Sequence, residues 1–195
     1  MSEEAPPPGK AIRAFIALPL PESLQAAVTE TIHRLQETVR DVRWVRGEGV
    51  HLTLRFLGWT KAETLALLEA PLRAAAARCP RAEMAARGLG TFPERGSPRV
   101  LWLGLGVPPA VLALQDACER AAVAAGFARE ERAFHPHLTL GRWKQRARRP
   151  ALPEVDLGTG RLDRLVLFRS RPGPSGSLYT PLATFALAGT AEAVR

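Results

Sequence analysis

The stretch His51-Leu52-Thr53-Leu54-Arg55-Phe56-Leu57-Gly58 shares its first four residues with a later one, Phe134-His135-Pro136-His137-Leu138-Thr139-Leu140-Gly141-Arg142. From this chain's own residue frequencies, chance recurrence of such a tetrapeptide is on the order of half a percent, so an internal duplication explains it better. Side chains alternate along a strand. His51 and Thr53 therefore share one face, as do His137 and Thr139, while the leucines anchor the other. If the two halves bring these strands side by side, two imidazoles and two hydroxyls converge on one small volume. That set suits a phosphate, with hydroxyls on the nonbridging oxygens, one imidazole donating a proton and the other accepting one. A competing arrangement gathers His51, His135 and His137 around zinc. It leaves both threonines without a role, so no metal or other cofactor is expected.

Outward from the first motif, Val42 to Val45 and Val50 to Leu57 have the pattern of strands around the turn Gly47-Glu48-Gly49. Before them, Ala11 to Leu18 is a strand candidate. Pro19-Leu20-Pro21 then leads into a helix with the apolar stripe Leu24, Val28, Ile32, Leu35 and Val39, beside which His33 is a boundary or surface residue. Lys61 to Cys79 returns to helical spacing, with Pro71 expected to kink or split it. The plan then repeats: strands at Arg81 to Arg87 and Val100 to Leu105, a helix from Pro108 to Ala125, and a strand at His137 to Trp143. Arg161 to Phe168 and Leu178 to Ala188 close the chain as strands around the loop Arg171-Pro172-Gly173-Pro174-Ser175-Gly176. The class is α+β with mainly antiparallel pairing and two diverged halves. Residues 1–10, with Pro6-Pro7-Pro8-Gly9, have no apolar periodicity and are expected to be a flexible tail, leaving 11–195 as one domain.

The chain has 195 residues, 46% of them hydrophobic, without the long apolar run of a membrane span. Met1-Ser2-Glu3-Glu4 is acidic where a secretion signal is basic, so a cytoplasmic location is expected; a monomer is expected as well. Cys79 and Cys118, far apart in alanine-rich segments, fit buried thiols better than a disulfide framework. The net charge of +8 suggests a polyanionic partner, although arginine supplies nearly all of it beside Lys10, Lys61 and Lys144 and could reflect genome bias. The cations Arg142, Lys144, Arg146, Arg148 and Arg149 follow the second motif with no acid among them, as a solvated loop or a track for an RNA backbone. By alternation, Arg55 faces the cleft with His51 and Thr53, while Phe56 joins the core with Leu52 and Leu54. Arg142 would point away from His137 unless the strand ends or bulges near Gly141.

The paired His-x-Thr-x motifs, in these contexts, resemble those of the two-histidine phosphoesterases, specifically the RNA 2′,3′-cyclic phosphodiesterases, also known as 2′-5′ RNA ligases. Arg13-Ala14-Phe15-Ile16-Ala17, Val100-Leu101-Trp102-Leu103-Gly104 and Gly176-Ser177-Leu178-Tyr179 extend the likeness over nearly the whole chain after the tail. The resemblance implies a bilobal fold with pseudo-twofold symmetry, each lobe an antiparallel sheet with helices outside and the cleft between the sheets. It implies metal-independent opening of a terminal 2′,3′-cyclic phosphate on RNA to a 2′-phosphate. His51 matches the family's proton donor and His137 its acceptor, Thr53 and Thr139 its phosphate-binding threonines, and Arg142 a substrate-contacting base. Tyr179 is a further RNA contact on the same ground. RNA ligation or hydrolysis of small cyclic nucleotides would use the same residues. A noncatalytic RNA-binding module is the alternative outside enzymes, and the survival of all four cleft residues argues against it.

Overall fold

The computed structural model describes residues 11–173 and 176–189; the expected tail at 1–10 lies outside them. The chain runs β1 (Ile12–Pro19), α1 (Glu22–Thr38), β2 (Val42–Trp44), a one-turn 3-10 helix (Gly47–Gly49), β3 (His51–Thr60), α2 (Ala62–Arg78), β4 (Ala82–Phe92) and β5 (Val100–Gly106). It continues through α3 (Pro109–Ala124), β6 (His137–Trp143), β7 (Asp156–Leu162), β8 (Arg164–Gly173) and β9 (Gly176–Ala186). No helix among the described residues is long and apolar enough to cross a membrane.

The helices form where apolar side chains recur on one face. α1 buries Leu24, Val28, Ile32 and Leu35, as its stripe predicts, and Val39 is buried just beyond its end. Exposed His33 lies outside the stripe. α2 buries Leu65, Leu68, Leu72 and Ala76, and contrary to expectation it continues through Pro71 as one helix. Pro71 lies on the solvent side together with exposed Leu67, whose carbonyl loses its helical donor to the proline ring, so water can take that donor's place. α3 buries Val111, Leu114, Cys118 and Ala122, and both cysteines are free and buried.

Among the described residues the strands form one antiparallel path, β7-β4-β5-β6-β3-β1-β8-β9, with β2 paired to β6 off that path. β3 and β6 pair at a single position, Leu52 with Leu138, and there the path divides into the two expected lobes. Each lobe contains strands from both halves of the sequence. β4 crosses to lie beside β5 and β7, and β8 and β9 cross to lie outside β1. β7 and β8 stand far apart along the path, yet only Asp163 separates them in sequence. One residue spans about 3.8 Å, so the sheet has to curl into a half-barrel. A parallel bridge from Pro80 to Ala188 holds the start of β4 near the end of β9.

The strand expected at Arg161 to Phe168 is thus two strands, and β7 was missed. Its sequence, Asp-Leu-Gly-Thr-Gly-Arg-Leu, is glycine-rich and lacks clean alternation, so pairing with β4 supplies what local preference does not. The loop expected at 171–176 is shorter than its proline and glycine content suggests. The β8–β9 ladder persists to Gly173 and Gly176, and residues 174 and 175 lie outside the described ones.

Candidate active site

The single bridge between β3 and β6 positions the chemistry. Leu52 and Leu138 are 1% and 0% exposed, and burial of each is worth about 1.5–3 kcal/mol. They occupy the same place in their motifs. The local twofold axis of an antiparallel pair centred there exchanges one motif with the other, and the register sets His51 beside Thr139 and Thr53 beside His137. All four polar residues take the face opposite the buried leucines.

Both rings are held alike. Nδ1 of His51 lies 2.7 Å from the Gly49 carbonyl, and Nδ1 of His137 lies 2.6 Å from the His135 carbonyl. A carbonyl oxygen only accepts, so each ring carries its proton on Nδ1 and leaves Nε2 for the cleft. His51 stacks on Phe15 at 4.6 Å between centroids and meets the edge of Tyr179 at 5.1 Å; His137 meets the edge of Phe92 at 5.1 Å. Burial lowers the His51 pKa to about 4 against the opposing pull of the Gly49 carbonyl. Burial also lowers that of His137, opposed by the His135 carbonyl and reinforced by the charges of Arg142 and His135. In both rings burial disfavours the charged form.

The same irregularity interrupts both motifs. Against β1, Ile16 pairs with Arg55 and Ala17 with Thr53, so Leu54 is an extra residue; against β5, Leu101 pairs with Gly141 and Trp102 with Thr139, so Leu140 is extra. A bulge reverses the parity of every residue beyond it on the strand. Arg142 consequently reaches the cleft, as the bulge contemplated near Gly141 requires. The first motif reverses too, against expectation. Phe56 is 42% exposed and lines the cleft, whereas Arg55 is only 9% exposed. Although Arg55 touches the cleft wall, its guanidinium is committed to structure: Nε pairs with Glu119 of α3 at 2.7 Å, Nη1 donates to the Phe56 carbonyl at 3.0 Å, and Nη2 donates to the Ala128 carbonyl.

The cleft has a volume of about 490 Å³ and contains His51, Thr53, Thr139, Arg142 and Tyr179 in its wall. His137 is not part of that wall; it stands two residues along β6 from Thr139, on the same strand face. Neither threonine hydroxyl has a protein hydrogen-bond partner among the described residues, so both are available to a ligand. Tyr179 packs over the 3-10 turn, where a side chain on Gly49 would meet its ring at 3.2 Å. Arg13, part of the Arg13-Ala14-Phe15-Ile16-Ala17 likeness but expected to have no role in the site, also lines the cleft and donates to Ser170 at 3.4 Å. It shares a strand face with Phe15, the ring stacked on His51, so the period of two along β1 was the signal that could have joined them. The Glu130–Arg132 ion pair, 2.9 Å, completes one wall without having left a mark in the sequence pattern.

The basic run divides. Arg149 is anchored, donating to Thr91 Oγ1, to the Pro93 carbonyl at 2.8 Å and to the Gly96 carbonyl at 3.4 Å, and it stays exposed in the wall of a groove. Lys144 and Arg146 line a second groove that shares Arg142 with the first, and Arg146 and Arg148 line a shallower one beside it. The three-histidine zinc arrangement is not formed: among the described residues no three His, Cys, Asp or Glu side chains gather in a set able to hold a metal ion.

Known proteins resemble the chain in both sequence and fold. The sequence profile of the 2′-5′ RNA ligase superfamily matches residues 20–173. An RNA 2′,3′-cyclic phosphodiesterase of Methanothermobacter thermautotrophicus is 34% identical over 183 residues, covering 90% of this chain and 99% of the relative. One from Thermus thermophilus is 35% identical over 199 residues, covering 91% of each. Among solved structures, TT0787 of Thermus thermophilus superposes with a TM-score of 0.79 at 31% identity, covering 91% of this chain and 99% of that one. E. coli LigT complexed with 3′-AMP superposes with a TM-score of 0.78 at 27% identity and the same coverage.

Proposed function

The chain belongs to the 2′-5′ RNA ligase superfamily and is a phosphodiester hydrolase, and from that premise we propose that it opens 2′,3′-cyclic phosphates at RNA ends to 2′-phosphomonoesters. The observation that carries the mechanism is the axis at Leu52 and Leu138, with both rings locked as Nδ1–H donors to backbone carbonyls. Nε2 of His137 takes a proton from water as the water attacks phosphorus. The P–O3′ bond breaks opposite it, and Nε2 of His51 protonates the departing O3′, leaving phosphate on O2′. Thr53, Thr139 and Arg142 meet the nonbridging oxygens, where charge accumulates in the transition state. Two proton transfers and neutralisation by side chains complete the reaction without a metal.

For His51 to donate, it has to be charged, and the empty cleft disfavours that charge. An anionic phosphate between the rings reverses the balance, so the substrate itself charges its acid. Phe56, exposed in the same cleft, offers its ring to the terminal base.

The test is to incubate a nucleoside 2′,3′-cyclic phosphate with wild type, His51→Ala and His137→Ala in the presence of chelator, and to separate the 2′ and 3′ monophosphates by chromatography. Wild type is expected to yield the 2′ product, and each variant to lose at least about a hundredfold in rate. Near-wild-type rates in either variant would overturn the two-ring mechanism, loss of activity with chelator the metal independence, and mainly 3′ product the orientation of the ribose.

A further inference from the structure

A second groove of about 670 Å³ adjoins the cleft at Arg142, which belongs to the walls of both. Arg99, Lys144 and Arg146 add three more cations to that groove, and no acid lines it. Among the described residues none of these three side chains has a hydrogen bond or ion pair. Like charges packed along one wall repel, and a polyanion relieves that repulsion.

The loop that carries them is fixed in place. Ser97 Oγ donates to the Ala147 carbonyl at 3.2 Å and accepts from the Ala147 N–H at 3.0 Å, and Arg149 fastens the next turn to Thr91, Pro93 and Gly96. The Lys144 N–H donates to the Asp41 carbonyl at 3.0 Å, and the Trp143 N–H to the Arg99 carbonyl at 3.0 Å. A backbone pinned in this way loses little further freedom when the side chains it carries bind, so the ordering cost is confined to those side chains.

We propose that this groove is a backbone subsite for the RNA nucleotides that precede the cyclic phosphate, making the enzyme selective for oligonucleotide ends over mononucleotides. The inference rests on the function proposed above. A cyclic phosphate in the first cleft terminates the 3′ end of its strand, so the rest of the chain leaves in the 5′ direction. Arg142 stands where the terminal nucleotide hands over to the one before it. Arg142 lies near the end of β6 and Lys144 in the bend just beyond Trp143, so the two cations follow one another along the groove wall in the direction the RNA strand would leave.

The experiment compares KM for an eight-nucleotide RNA ending in a 2′,3′-cyclic phosphate with KM for the corresponding mononucleoside cyclic phosphate, at 50 and 200 mM salt. Wild type is expected to favour the octamer about tenfold or more at low salt. Neutralising two phosphates predicts that this advantage falls on the order of sevenfold across that salt range. Combining Arg99→Ala, Lys144→Ala and Arg146→Ala should bring the ratio of the two KM values toward one. The equal-charge control Arg40→Ala, Arg78→Ala and Arg81→Ala, outside both grooves, should keep it. A wild-type ratio near one, a ratio insensitive to salt, or equal losses in both triple variants would overturn the subsite. Binding of a 5′-labelled octamer to His137→Ala, followed by fluorescence anisotropy, separates the two proposals. Groove-dependent binding without wild-type turnover of either substrate would sink the proposed reaction and leave the subsite standing. Turnover with groove-independent binding would do the reverse.

Discussion

At the scale of single residues, the two histidines are tuned by burial more than by charge. Because both pKa values lie below the ordinary histidine value in the empty cleft, the pH profile of kcat/KM, which reports the free enzyme, should be a bell whose limbs are both displaced to the acid side. Bound phosphate raises them, so the optimum of kcat should lie at higher pH than that of kcat/KM. Initial rates from about pH 4 to pH 9 check this, and coincident or inverted optima would remove the substrate-charged acid. The same burial has a stability consequence with a definite sign. The folded-state pKa of His51 is depressed, so its contribution is full above the unfolded value of about 6.5 and is lost as pH falls toward 4. Denaturant midpoints of wild type should drop across that window more steeply than those of His51→Gln. Phe56→Ala should raise KM about fivefold, the low end of base–aromatic stacking, with little change in melting temperature, and Phe56→Trp should restore KM. A large loss of thermal stability would return Phe56 to the core.

At the scale of elements, the buried pair of Arg55 and Glu119 ties β3 to α3, and Glu119 also accepts the Glu130 N–H at 2.9 Å in the segment leading to His137. Arg55→Met strands a carboxylate with little access to water and should cost about 3–5 kcal/mol, while adding Glu119→Leu should recover much of it. Urea denaturation of the single and double variants measures both, and a cost under about 1 kcal/mol for Arg55→Met would mean that water screens the pair. This pair also marks where sequence stops informing structure. The paired motifs led directly to the two strands and to the shared face of each His and Thr, because period-two alternation and an exact repeat are local signals, while the twofold arrangement and the cleft came from the family likeness. Arg55 and Phe56 were exchanged because the bulge at Leu54 is fixed by pairing with Ile16 and Ala17 of β1, nearly forty residues away. β7 escaped for the same reason: a strand with glycines at 158 and 160 forms because β4 offers it an edge. Gly160 belongs there because a Cβ would meet Leu24 and Pro21 at the start of α1 within 3 Å.

At the scale of the whole molecule, the crossing of β4 into one lobe and of β8 and β9 into the other means that neither half of the sequence owns a complete sheet. Unfolding of the full chain should be a single cooperative transition, with calorimetric and van't Hoff enthalpies in agreement. A segment spanning 11–92 should stay unfolded alone, since β1 would lack β8 and β4 would lack both of its neighbours. Two resolved calorimetric transitions would show instead that the lobes stand independently. The crossing also bears on ancestry. Two identical short chains that traded strands and were later joined end to end would hold the order of the six inner strands, β4-β5-β6-β3-β1-β8, with the former axis between copies running through Leu52 and Leu138 and the outer strands β7 and β9 added by the second half. In such a pair neither copy had an acid and a base of its own. The proton donor and the proton acceptor would then be one ancestral residue met twice, told apart only after fusion let Tyr179 settle over one ring and Phe92 over the other.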